Sequence, residues 1–225
     1  MPWRVLGLLS LLLSCAPPAV VPRAPQARQL IFRKGTRRFR VLARTVPNEI
    51  RHDLSLSEIA KLPGAAGNGL RTQGLSTIRH SLATHTRFKT VAGGDFVKAW
   101  FDDVILEVEI SSVIIHIPIE YPEGSCEYEA VLEHERGHGR LARENAAELA
   151  GELEAEISLA GGLPTSLNPM ESPDYEAVEN ILRSSIARIV DPIYERYEKQ
   201  EVRGQAALDR PDPYDAVYRK CRGWK

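Results

Sequence analysis

Two hydrophobic periods divide the chain. Between 104 and 120, Val104, Leu106, Val108 and Ile110 alternate with Glu107 and Glu109, and Val113, Ile115, Ile117 and Ile119 alternate with Ile114, His116 and Glu120. A repeat of two is that of strands, so two adjacent strands are predicted. From Cys126 onward the repeat becomes helical. At about 100° per residue, Val131, His134, His138, Ala142, Leu149 and Leu153 share one broad stripe. Ser125 is a candidate N-cap, and Glu127 and Glu129 sit where the helix dipole favours acids. This helix is predicted to run from near Cys126 to about Ala160, stopped by Gly161, Gly162 and Pro164. A second helix starts near Ser172-Pro173 and continues through Ile181, Ile186, Ile189 and Val190, with Pro192 expected to kink or restart it.

The first half reads as strands and loops. Leu30 to Phe32 and Phe39 to Leu42 flank Arg33-Lys34-Gly35-Thr36-Arg37-Arg38, which suggests a strand pair around a glycine turn. Ser55 to Lys61 reads as a short helix and Gly64 to Gly69 as a loop; the rest of 48–94 carries mixed signals. Ahead of these, Arg4 precedes the apolar run Val5 to Leu13, too short to span a bilayer but right for a secretory signal. Leu12-Leu13-Ser14-Cys15 resembles a lipobox, which makes Cys15 the expected lipidation site. The proline- and alanine-rich stretch after it reads as a tether. The expected organisation is a signal peptide of lipoprotein type over 1–15, a tether over 16–26, and one domain over 27–225, mainly strands to 120 and mainly helical from 121.

Composition adds two constraints. A formal net charge of −1 gives no reason to expect a nucleic-acid partner, because phosphate neutralisation needs a basic excess. Export leaves Cys126 and Cys221 as a pair in an oxidising compartment, so a disulfide between them is predicted. The expected location is periplasmic or outer-membrane-anchored, with the lipid as the sole membrane contact.

The chemistry lies in His134-Glu135-Arg136-Gly137-His138, the pattern His-Glu-x-x-His. Residues four apart on a helix lie nearly above one another, so both imidazoles can reach one Zn2+. Glu135, one residue round, is then placed as the catalytic base for a water made acidic by zinc. A catalytic zinc takes three protein ligands. The extension that would supply a third histidine is missing, since Leu141 and Glu144 occupy its positions. An antiparallel second helix, counted back from the 161–171 connection, brings residues 195–201 level with the histidines, so Glu198, Glu201 and Glu195 are the candidate third ligands. His116 on the preceding strand is an outside candidate.

These residues also carry a resemblance. Ser125 to Tyr128, Val131 to His138 and Tyr197 to Gln205 resemble a poorly characterised family of bacterial predicted secreted zinc-dependent proteases, with a Tyr-acid stretch about sixty residues after the His-Glu-x-x-His. The resemblance implies His134 and His138 as ligands and Glu135 as base, and its Tyr-acid pair falls on Tyr197-Glu198, which ranks Glu198 first. The sequence departs from the family at Glu201, where the family has threonine, and at Arg203, where it has histidine. Arg203 or Tyr197 is a candidate oxyanion stabiliser.

The expected fold is α+β and zincin-like, a small sheet packed on a long helix hairpin that carries the motif. An edge strand near His116 to Glu120 is expected to hold an extended peptide. The expected function is zinc-dependent hydrolysis of a peptide or protein substrate. The alternatives are a metallohydrolase acting on cell-wall amides and a non-enzymatic envelope lipoprotein or interaction module with a structural metal or none.

Overall fold

The computed structural model describes residues 28–34, 37–65, 72–210, 218–221 and 224. The signal and tether segments, Cys15 and most of the loop expected at Gly64 to Gly69 lie outside them. The described fold is mixed α and β, with six strands in one sheet and two long helices.

The strands are β1 (Arg28–Lys34), β2 (Arg37–Thr45), β3 (Glu49–Leu54), β4 (Leu75–Gly93), β5 (Phe96–Pro118) and β6 (Met170–Ser172). The helices are α1 (Leu56–Ile59), α2 (Cys126–Leu159) and α3 (Tyr175–Leu208). The long strand β5 organises the sheet. On one edge it pairs antiparallel with β4 over almost its whole length. On the other edge β6, β2 and β3 follow one another along it, the last two parallel to it, and β1 pairs antiparallel outside β2 as the hairpin expected around residues 35–36.

The two strands expected over 104–119 are one strand with a bulge. Val104, Leu106, Val108 and Ile110 are even-numbered and Val113, Ile115 and Ile117 odd-numbered, yet all seven are buried. A register shift opposite Arg79 and His80 inserts one residue near Ser111, which changes the phase and keeps both apolar sets on the helix face. β3 and β4 come from the stretch with mixed signals. β4 alternates weakly because its last turns of chain, 89–92, are exposed on both faces.

α2 begins as expected, with the Ser125 hydroxyl accepting from the Tyr128 N–H. α3 begins two residues late. Asp174, not Ser172, caps it, and its side chain accepts from the Glu176 N–H. Nor does Pro192 restart the helix: α3 is continuous through it. Pro192 and Arg188, whose carbonyl loses its partner there, are both exposed, so water can satisfy the gap.

Ala142, Ala146, Leu149 and Leu153 of α2 and Leu182, Ile186, Val190 and Ile193 of α3 bury their apolar stripes against Phe101, Val104, Leu106, Val108 and Ile110 of β5. Each large side chain so buried stabilises the fold by about 1.5–3 kcal/mol. Below this, Ile115 and Ile117 pack on Val131, Leu132, Tyr121 and Tyr128. That second cluster sits directly under the start of the His-Glu-x-x-His turn. A disulfide joins Cys126 to Cys221, as the cysteine pair predicted.

Candidate metal site

α2 carries the motif at its third helical turn, and three neighbours close around it. The sheet side is formed by Gly74, which precedes β4. A Cβ built at Gly74 would lie 2.5 Å from Val131 Cγ1 and 2.9 Å from Glu135 Oε1, so glycine is what lets α2 sit this close. Val131 is fully buried and has nowhere to move. Gly74→Ala should therefore lower stability by about 1–3 kcal/mol, measured by chemical denaturation. An unchanged midpoint would mean that the strand end relaxes freely.

Glu135 is 3% exposed, and the Ser76 hydroxyl donates to its backbone carbonyl at 2.9 Å. Burial pushes the Glu135 carboxyl above the ordinary range, while His138, His134 and the Ser76 hydroxyl pull it back only in part. That is the direction expected of a carboxylate that must exchange a proton near neutrality.

His134, His138 and Asp209 meet at one point. His134 Nε2 and His138 Nε2 lie 3.1 Å apart, and Asp209 Oδ1 is 3.2 Å from each. Among the described residues this is the group of three ligand atoms close enough to hold a metal ion. The triangle fits a small tetrahedral ion: bonds of about 2.0–2.1 Å put donors about 3.3 Å apart. Asp209 is half-exposed, so the donor set faces solvent on one side.

The three groups are linked to one another by hydrogen bonds. Burial works against charge on Asp209, but the hydrogen bonds from His134 and His138 win and keep its carboxyl far below the ordinary range. His138 is the converse: burial lowers its pKa, yet Asp209, Glu135 and Gln205 together leave it raised.

A chain of side chains fixes the His138 ring. Glu201 is buried, and its two oxygens accept from Asn145 Nδ2 at 2.5 Å and Gln205 Nε2 at 2.7 Å. A carboxylate only accepts, so the Gln205 amide must turn its nitrogen to Glu201 and its oxygen to His138. Gln205 Oε1 lies 2.6 Å from His138 Nδ1, and Nε2 also reaches the His138 carbonyl at 3.2 Å. His138 then carries its proton on Nδ1 and leaves Nε2 for the triangle. Such support typically contributes about 10–100-fold in metal affinity. Gln205→Leu should weaken any divalent-metal binding at the triangle by about that factor, read by competition with a chelating dye. Unchanged affinity would remove Gln205 from the account.

The expected third ligands are not in the triangle. Glu195 and Glu198 are exposed and line an open groove on the outer side of α3 with Lys199, Val202 and Arg203. Glu201 faces inward but acts through Gln205. Arg203 is exposed in that same groove, not beside the histidines. Tyr197 is buried in the core, edge-on to His80 and two helical turns from Gln205, roughly 12 Å along the axis. Neither is placed to stabilise an oxyanion. His116 points to the opposite face of the sheet, because its neighbours Ile115 and Ile117 are the ones that meet α2.

The register of the helices explains the miss. Asn145 meets Glu201, Glu148 meets Gln200, and Glu152 meets Arg196, so residues near 209 are level with the histidines. The chain leaves α2 at Leu159, pairs with β5 as β6, and starts α3 about three turns beyond the end of α2. Counting from a simple hairpin places the ligand too early. Asp209 is the C-cap of α3, and no local signal in the sequence marks it as a ligand.

No known family matches this chain, and neither a curated protein nor a solved structure matches it.

Proposed function

We propose that this protein is an exported zinc-dependent metallohydrolase of zincin-like build, most readily a peptidase, in which His134, His138 and Asp209 hold the ion and Glu135 is the general base. The observation that carries the reading is the triangle of two imidazole nitrogens and one carboxylate oxygen, with a buried carboxylate one residue from the first histidine. Two histidines and one acid are a donor set that zinc hydrolases use, with one position left for solvent or substrate. Bound Zn2+ supplies Lewis acidity there, bringing the pKa of coordinated water towards about 7 and polarising a carbonyl. The chain's own contribution is orientation and proton handling. Gln205 and Glu201 present His138 Nε2, and α2 presents the Glu135 carboxylate to accept a proton and return it to the leaving amine.

An extended substrate suits the sheet. Of the stretch expected to be an edge, His116 to Glu120, His116 is paired on both sides, with Arg51 of β3 and Leu75 of β4, and Pro118 is paired with Leu54 of β3. Among the unpaired edges of the described sheet, that of β4 starts next to the site, since Gly74 just before it touches Glu135. An edge of this kind offers backbone groups to a peptide. The membership in the secreted protease family, the signal and the lipid anchor at Cys15 belong to the same proposal.

The test is zinc stoichiometry and affinity of the purified mature protein. Wild type should bind one equivalent, His138→Ala and Asp209→Asn should lose it by about 100-fold or more, and Glu198→Gln should leave it unchanged. Loss in Glu198→Gln with retention in Asp209→Asn would reverse the ligand assignment. Absence of zinc in reconstituted wild type would leave a non-enzymatic envelope protein as the better reading.

A further inference from the structure

The flank of α2 that faces away from α3 contributes no donor to the metal triangle, and from Arg136 to Arg143 it is basic. Arg136, Arg140 and Arg143 stand there on successive turns around a concavity of about 540 Å3, with Asn48, Glu144 and Ala147 completing its walls. Among the described residues no carboxylate lies within ion-pair distance of any of the three guanidinium groups, as is also true of Arg79, Arg188 and Arg203, but only these three are gathered around one concavity.

Arg143 is built into place. Its guanidinium donates to the Gly139 carbonyl at 2.8 Å, to the Val46 carbonyl at 3.2 and 3.3 Å, and to Asn48 Oδ1. Gly139 permits this, since a Cβ there would lie 3.0 Å from Asn48 Oδ1 and 3.3 Å from Arg143 Nη1. The half-buried cation thus has neutral partners only. Arg140 leans back over Gly137, with Nη2 3.8 Å from where a Cβ would stand. Like charges four apart on a helix repel by a few tenths of a kcal/mol, which an anion bound between them would relieve.

We propose that this pocket binds a phosphate monoester, held by Arg136 and Arg140 with Arg143 as a fixed cation behind them. The walls of this pocket carry three guanidinium groups and the single carboxylate of Glu144, while Glu129 and Glu133 stand on the adjoining face beside Arg136, where Lys220 pairs with Glu133, so the balance inside the pocket is cationic and suits an anion. Planar guanidinium forks match phosphate oxygens in pairs, which an exposed lysine patch would not. The site is independent of the metal triangle, so its test needs neither zinc nor turnover.

The phosphate can belong to a soluble molecule or to a lipid headgroup, and the experiment separates them. Inorganic phosphate is titrated into metal-free protein by calorimetry, and vesicles of phosphatidylcholine with and without phosphatidic acid are tested by co-sedimentation. The variants are Arg136→Gln with Arg140→Gln, both exposed positions, and Arg188→Gln on α3 as a charge control. Wild type should bind, and the double variant should bind about tenfold more weakly or less, with Arg188→Gln unchanged. Binding of both probes or of inorganic phosphate alone supports a soluble ligand, and binding of phosphatidic acid vesicles alone supports a headgroup. Absence of binding to either probe, or an equal loss in Arg188→Gln, overturns the proposal.

Discussion

Glu135→Gln is expected to keep its zinc and lose its hydrolysis, with turnover of an unfolded protein or peptide substrate falling about 100- to 10,000-fold. The two substitutions one would compare, Glu135→Gln and His138→Ala, act on different links of the chain of cause. His138 contributes a nitrogen to the donor triangle, so its loss removes the ion. Glu135 contributes no atom to that triangle, and glutamine is nearly isosteric, so the packing on Gly74 and Val131 and the Ser76 bond to the backbone are kept. What disappears is the ability to take up a proton. The measurement is zinc content beside rate for both variants. Full activity in Glu135→Gln would exclude it as the base and with it the hydrolase reading in this form. Loss of zinc in Glu135→Gln would instead make it part of the donor set.

Replacing Cys126 and Cys221 together by serine should lower stability by about 4–5 kcal/mol, because the crosslink closes a separation of 95 residues and a longer loop loses more entropy when unfolded. Cys221 is buried against Ala130 and Trp224, so the tail has packing of its own there. Further contacts hold it near the site. Tyr218 accepts from Gln73 Nε2 at 2.7 Å, Tyr121 donates to the same amide's oxygen, and Trp224 packs edge-on to both tyrosines. Gln73 adjoins Gly74, which touches Glu135. Denaturation of the double serine variant, and of wild type with and without reductant, reads the effect. A loss under about 1 kcal/mol would mean that the aromatic contacts alone hold the tail.

Local patterns made the helical half legible. The stripe that includes Val131, Ala142, Leu149 and Leu153 is the face that is buried, and Ser125 caps the helix where its side chain can meet an orphan N–H. The strands over 104–119 were visible as an alternation but not as one strand, since a bulge changes the phase without leaving a mark in composition. β3 and β4 were hidden because much of each is exposed, and a half-exposed edge strand needs little alternation.

The site divides along the same line. His134, Glu135 and His138 are related by the geometry of a single helix, so spacing alone determines that two imidazoles and a carboxylate share one end of it. The cysteine pair was likewise determined by count and expected compartment. Gln205 and Glu201 on α3, Asp209 at its C-cap and Gly74 before β4 reach the same place from two other segments, 56 to 75 residues away in the pairs that meet. Gly74 arrives through the pairing of β4 with β5, whereas the arrival of the three α3 residues depends on where α3 begins, after β6 has paired with the start of β5. A helix carries its own ruler, so the sequence determined the motif; the offset between two helices is decided by packing elsewhere in the fold, and only the tertiary structure brings Asp209 to the two histidines.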